Sequence, residues 1–249
     1  MRGLIGAIAA GMILTAAESA EAACPRDRLV VALDIGHGPD SPGATSARGR
    51  PEYAFNRDLT LRLRDQMHAA GITGAFLVTT ADGGAPGLWD RPRIAGARGA
   101  HALLSIHHDS VQPQFLETGT LDGRPARYSR HARGHALFVS SKNLYAARST
   151  VLARAIGQAL TDWGLTPTLH HAEPIAGENR PLLDEALGIH DFADLVVLKA
   201  APMPAVLIEA GVIVHPEEEL EAQDPFRQDL VIDGIVRGLL AACPELLAP

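Results

Sequence analysis

Val30-Val31-Ala32-Leu33-Asp34-Ile35-Gly36-His37-Gly38 is an apolar run that ends in a carboxylate and then in a histidine between two glycines. The β-branched content and the breakers that follow predict a buried strand. The glycines let the backbone turn tightly and leave room around the imidazole. A histidine at the end of a central strand stands where α/β sheets place their chemistry. A lone histidine is more often a hydrogen-bonded structural residue than a ligand, so its meaning depends on partners elsewhere in the chain.

Working outward, the spacing of Phe55, Leu59, Leu63, Met67 and Ala70 predicts a helix from Glu52 to the stop at Gly71. Strands are expected at 74–79, 101–106, 134–140, 195–198 and 205–209. Further helices are expected at 91–99, 151–163 and 229–241, with a short one near 182–187. This alternation predicts one α/β domain, a largely parallel twisted sheet of about six strands with helices on both faces. The connections 110–134 and 165–194 are long for a compact domain and are expected to border a site.

Composition narrows the function. Of 249 residues, 47% are hydrophobic and 20% charged, as in an ordinary globular protein. A net charge of −7 and an aromatic content of 4% argue against a nucleic-acid partner. Arg2, the apolar run Leu4–Ala17 and Ala20-Glu21-Ala22 form a signal-peptide pattern, so residues 1–22 are expected to be removed and 23–249 to form the working domain. The run is short for a membrane span, and Glu21 spoils a lipid-attachment signal at Cys24, so no stable membrane anchor is expected. Export to the periplasm, or secretion, follows. The two cysteines, Cys24 and Cys243, lie near the ends of the mature chain; a disulfide between them is expected, with two free thiols as the alternative.

Potential ligands gather at strand ends: His37, then Glu52 at the mouth of a helix, then His107 and His108, with Glu209 ending the apolar run Ala205–Ile208. Two imidazoles and a carboxylate are a zinc set, and a catalytic site leaves one position for water. A second carboxylate must move the proton. Glu209 is the candidate, since a carboxylate ending an apolar strand is costly unless it has a use. Neighbouring strand residues face opposite ways, so only one of His107 and His108 can face the ion, and spacing does not choose between them.

These motifs resemble the zinc-dependent N-acetylmuramoyl-L-alanine amidases, which cleave bacterial peptidoglycan. Leu33-Asp34-Ile35-Gly36-His37-Gly38 is similar to the family's Asp-Pro-Gly-His-Gly-Gly. Leu104-Ser105-Ile106-His107-His108-Asp109 is similar to Ser-Ile-His-Ala-Asn, and Met203-Pro204-Ala205-Val206-Leu207-Ile208-Glu209-Ala210-Gly211 to Pro-Ala-Val-Leu-Val-Glu-x-Gly. Glu52, Asp90-Arg91-Pro92-Arg93 and Val197-Leu198-Lys199 fall in the family order between them. The resemblance spans roughly residues 29–240. It implies one zinc ion held by His37, Glu52 and His107, with Glu209 as the catalytic carboxylate. His108 is then a supporting or substrate-facing group, or simply structural. Asp34 either orients a ligand imidazole or caps the loop. Ile35, Pro39, His108, Asp109, Thr80 and Val212 depart from the family pattern without removing a ligand.

The implied substrate is peptidoglycan, cut between the muramic lactyl group and L-alanine. A protein activator is a possible partner and a monomer is expected. Arg124, Arg127, Arg130 and Arg133 recur every third residue and form either a basic border for stem-peptide carboxylates or a solvated loop. In some regulated relatives a helix near 165–194 covers the site; here Glu173, Glu178 and Glu185 are the carboxylates available for that. Competing readings are a zinc carboxypeptidase on wall peptides, a non-catalytic wall-binding or activator domain, and a solute-binding protein. The intact ligand set argues against the second, and the short chain against the third.

Overall fold

A computed structural model describes residues 24–248; the expected signal peptide lies outside the described residues. Seven strands form one sheet, in which β1 (Val30–Ile35), β2 (Gly74–Leu77) and β3 (Ala102–Asp109) are joined by β6 (Ala136–Val139), β7 (Leu182–Asp184), β8 (Ile189–Asp191) and β9 (Ala205–Val212). Their order is β2-β1-β3-β9-β6-β8-β7. The first four strands in that order run parallel, as does the β6–β8 pair, whereas β6 is antiparallel to β9 and β7 to β8. The sheet is therefore mixed, with one more strand than the sequence pattern predicts.

Side chains alternate across the sheet. Leu33, Leu104, Ile106, Val206 and Ile208 pack on one face, beneath α1 (Glu52–Ala69), α3 (Ala146–Asp162) and α6 (Pro225–Leu247). Ala32, Leu103, Ala205 and Leu207 pack on the other, beneath α2 (Asp90–Ala97) and the short α4 (Val196–Lys199). A last short helix, α5 (Glu218–Glu221), precedes α6. The amphipathic pattern locates α1 well, and α3 begins five residues before the expected 151–163. α6 begins earlier than the pattern implies, because Asp224 caps it by accepting the Arg227 amide at 2.9 Å and Pro225 fits its first turn.

Two expectations need correction. Where a strand is expected at 195–198, Val196–Lys199 forms the helical turn α4, since a four-residue apolar run carries no period of its own. The helix expected near 182–187 is replaced by β7 and the turn into β8. The 110–134 connection also contains an unpredicted antiparallel hairpin, β4 (Glu117–Leu121) and β5 (Arg124–Tyr128), turned through Asp122-Gly123, both at positive φ.

Cys24 and Cys243 form the expected disulfide, with Cα atoms 5.8 Å apart and Cys243 fully buried in α6. It closes the chain across a sequence separation of 219 residues. Loop-closure entropy for so long a loop is worth up to about 5 kcal/mol. Replacing both cysteines by serine is expected to lower the melting temperature by roughly 10 °C. Thermal unfolding with and without reductant checks this; equal melting points in all samples would show that the bond stabilises nothing.

Candidate functional site

The C-terminal ends of β1 and β3 and the start of α1 meet at one place. His37 leaves β1 with φ 68°, so the histidine itself, not a neighbouring glycine, takes the left-handed conformation. A clamp holds it there. Arg91, buried in α2, donates to the carbonyls of Ile35 at 2.8 Å and His37 at 2.6 Å and to Asp34 Oδ1 at 2.9 Å. Ser105 donates to the other Asp34 oxygen at 2.6 Å. Asp34 therefore orients no imidazole. It anchors the arginine that fixes the histidine's backbone, and its own charge is compensated in a fully buried position.

Glu52 lies in the first turn of α1, and its two oxygens part between two rings. Oε2 is 3.0 Å from His37 Nε2, and Oε1 is 3.0 Å from His107 Nδ1. Oε2 also accepts the Ala44 amide at 3.0 Å, and Oε1 accepts Asn56 Nδ2 at 2.9 Å. Burial pulls the Glu52 carboxyl upward, but hydrogen bonds from His107 and His37 outweigh it and hold the group well below the usual carboxylate range. One carboxylate and two imidazoles thus converge with ligand atoms within 4.8 Å of one another, a set that could hold a metal ion. The His37 and His107 side chains stay 32% and 16% exposed, so the cluster opens outward. It opens into a groove of about 780 Å³ that Arg91, Thr80, Leu195 and Leu207 also line.

Asn56 carries no motif of its own in the sequence. It sits one helical turn after Glu52 on the same face of α1, a spacing that could have marked it. Fully buried, it donates to Glu52 and to the Gly36 carbonyl at 3.2 Å, and its Oδ1 meets His108 Nδ1 at 2.9 Å. His108 therefore points away from the groove, toward α1. Burial pushes its imidazole down to about 4, so it is a neutral support for Asn56 and not a substrate-facing group. Alternation along β3 separates the two histidines as expected.

Glu209 is the register partner of His107 across the β3–β9 pair and shares its sheet face. It is half-buried, and its Oε2 is shut off from solvent with no hydrogen-bond partner. Burial raises its carboxyl well above the usual range, and the charges of Asp109 and Glu52 push the same way. The remaining sequence candidates divide. Arg130 and Arg133 face the acidic residues of and before α5, with Arg130 3.7 Å from Glu217 and Arg133 paired to Glu221; Arg124 and Arg127 lie exposed on the hairpin. Glu173 is bonded to His131 and Glu178 to His171 and Arg180, and no helix of 165–194 covers the groove.

The fold and this cluster define a class: an α/β protein with a His-Glu-His group fit for a metal at the C-terminal edge of its sheet and a carboxylate beside it. The chain belongs to the N-acetylmuramoyl-L-alanine amidase family, whose model matches residues 31–241. It is 28% identical over 225 residues to N-acetylmuramoyl-L-alanine amidase AmiA of Escherichia coli, covering 84% of this chain and 75% of that protein. The structure of the amidase Ami1 from Mycobacterium smegmatis superposes with a TM-score of 0.66 at 24% identity, covering 88% of this chain and 98% of that one. The CwlD amidase from Clostridioides difficile, solved in complex with the GerS lipoprotein, superposes at 0.61 with 19% identity, covering 87% and 99%. The activity of the family, hydrolysis of the bond between N-acetylmuramic acid and L-alanine of peptidoglycan, is the activity of this chain. Among the described residues, no helix is long and apolar enough to cross a membrane.

Proposed function

We propose that His37, Glu52 and His107 hold one zinc ion and that Glu209 moves the protons of the amidase reaction. The donor set fits the ion: two imidazole nitrogens and a carboxylate held anionic, with an open side toward the groove. Bound there, zinc supplies Lewis-acid polarisation of the scissile carbonyl and a water of lowered pKa. Glu209 accepts the proton of the attacking water and returns it to the L-alanine nitrogen. The water oxygen ends on the lactyl carbonyl carbon, and the C–N bond breaks. The observation that carries this reading is the orphaned Oε2 of Glu209. A buried carboxylate oxygen without a partner is destabilising, and this one stands on the same sheet face as His107, where it can take a proton from water and hand it to the leaving nitrogen. The Arg91 clamp and Asn56 take no part in proton transfer; they fix His37 and Glu52.

The substrate implies export, in keeping with the signal-peptide pattern of residues 1–22. A protein partner belongs to this reading as well, supported by the lipoprotein complex of CwlD. Digestion of purified peptidoglycan, with products resolved by mass spectrometry, tests the reaction. Free stem peptides and peptide-free glycan, lost after chelation and restored by Zn²⁺, are expected. Release of terminal D-alanine alone would instead establish a carboxypeptidase, and activity indifferent to chelator would remove the zinc.

A further inference from the structure

The 165–194 segment carries no lid, but it brings two histidines back to the end of β3. His170 and His171 occupy a short 3₁₀ turn, and both are buried. Their rings lie with centroids 3.9 Å apart. Each Nε2 points to the same oxygen of Asp109: His171 at 2.7 Å and His170 at 3.4 Å. Each Nδ1 is taken up behind. His171 Nδ1 is 2.9 Å from Glu178 Oε2, and His170 Nδ1 is 2.9 Å from the Thr168 hydroxyl. Glu178 is itself held by Gln112 at 2.7 Å and Arg180 at 3.0 Å. The Ser110 carbonyl lies 3.2 Å from His170 Nε2.

This is the arrangement of metal-ligating histidines, in which one nitrogen faces the ion while the other is fixed by a carboxylate or hydroxyl. The geometry points to a second divalent-metal site made by Asp109, His170 and His171, with the Ser110 carbonyl at its edge. Nitrogen and carboxylate donors in this number select a zinc-class ion. Bonds of about 2.0–2.2 Å set tetrahedral ligand edges near 3.4 Å. The His170–Asp109 separation already has that value, and the His171–Asp109 pair opens by about 0.7 Å.

The site lies two residues beyond His107 on β3 and ties the long segment to the strand that carries the amidase cluster. The ligand atoms of the two clusters belong to different residues, so each can be emptied separately.

The test counts metal. Chelator-stripped protein is titrated with Co²⁺ by absorption and with Zn²⁺ by elemental analysis after desalting. The wild type is expected to bind two equivalents. His37→Gly, which suits the positive φ at that position, should keep one, and His171→Gln should keep one. One equivalent in the wild type and none in His37→Gly would overturn the second site, as would two equivalents in His171→Gln. One wild-type equivalent that survives His37→Gly but not His171→Gln would keep this site and overturn the zinc assignment at His37. If His171→Gln fails to fold by circular dichroism, the wild type and His37→Gly decide alone.

Discussion

Glu209→Gln retains the wild-type zinc content and loses roughly 10³-fold in turnover of peptidoglycan. The substitution is nearly isosteric, so β9 keeps its packing and its register with β3. Glu209 is not among the residues that converge on Glu52, and the metal cluster should be indifferent to the change. The amide cannot accept the water proton or return one to the leaving nitrogen. An amide also ends the like-charge repulsion from Asp109 and Glu52 that adds to burial in raising this carboxyl. The variant is therefore expected to be no less stable than the wild type, even though it is inactive. Zinc analysis, thermal unfolding and product release measured on one preparation separate these effects. Near-normal turnover with zinc in place would remove Glu209 from the mechanism. Loss of zinc together with activity would make it a ligand or a support instead.

The sequence pattern carries most of the fold because α1, α3 and α6 are long and amphipathic, and because β1, β3 and β9 are apolar on both faces. What it does not carry is short or non-local. β7 and β8 are three residues each, below any period, and their pairing depends on contacts brought from β6. The antiparallel step between β9 and β6 follows from the chain path, and no residue of either strand signals it. In the site, His37, Glu52, His107 and Glu209 stand out as polar groups that end or interrupt apolar runs. Arg91 stands out in the sequence only as part of a family pattern, and its bond to Asp34 spans 57 positions. Asp109, His170 and His171 are joined across about 60 residues, so a His-His pair in a loop shows nothing until the loop is folded back.

The glycines around His37 show the same limit, and they yield the other large effect. The Gly-His-Gly stretch reads naturally as space for the His37 ring. In the structure the space beside Gly36 belongs to His107: a Cβ at Gly36 would stand 2.5 Å from His107 Nε2 and 2.6 Å from two ring carbons. The room for His37 comes instead from Gly43, where a Cβ would overlap both the His37 ring and Glu52 Oε2 and where φ is +78°. Gly43→Ala confounds strain with overlap. Gly36 has no such φ, so Gly36→Ala tests overlap alone. The backbone at Gly36 is pinned by its N–H, which donates to the Ile106 carbonyl at 2.9 Å, and by Asn56, which donates to its carbonyl, so the ring of His107 must give way. A displaced ring loses its place beside Glu52, and zinc affinity is expected to fall at least about 100-fold, with turnover falling alongside. Stability should drop only by about 1–3 kcal/mol, the usual cost of an added methyl in a packed site. Competition against a chelator of known affinity, paired with denaturant unfolding, measures both. A folded Gly36→Ala protein with wild-type zinc affinity would show that the observed place of His107 is not what holds the ion.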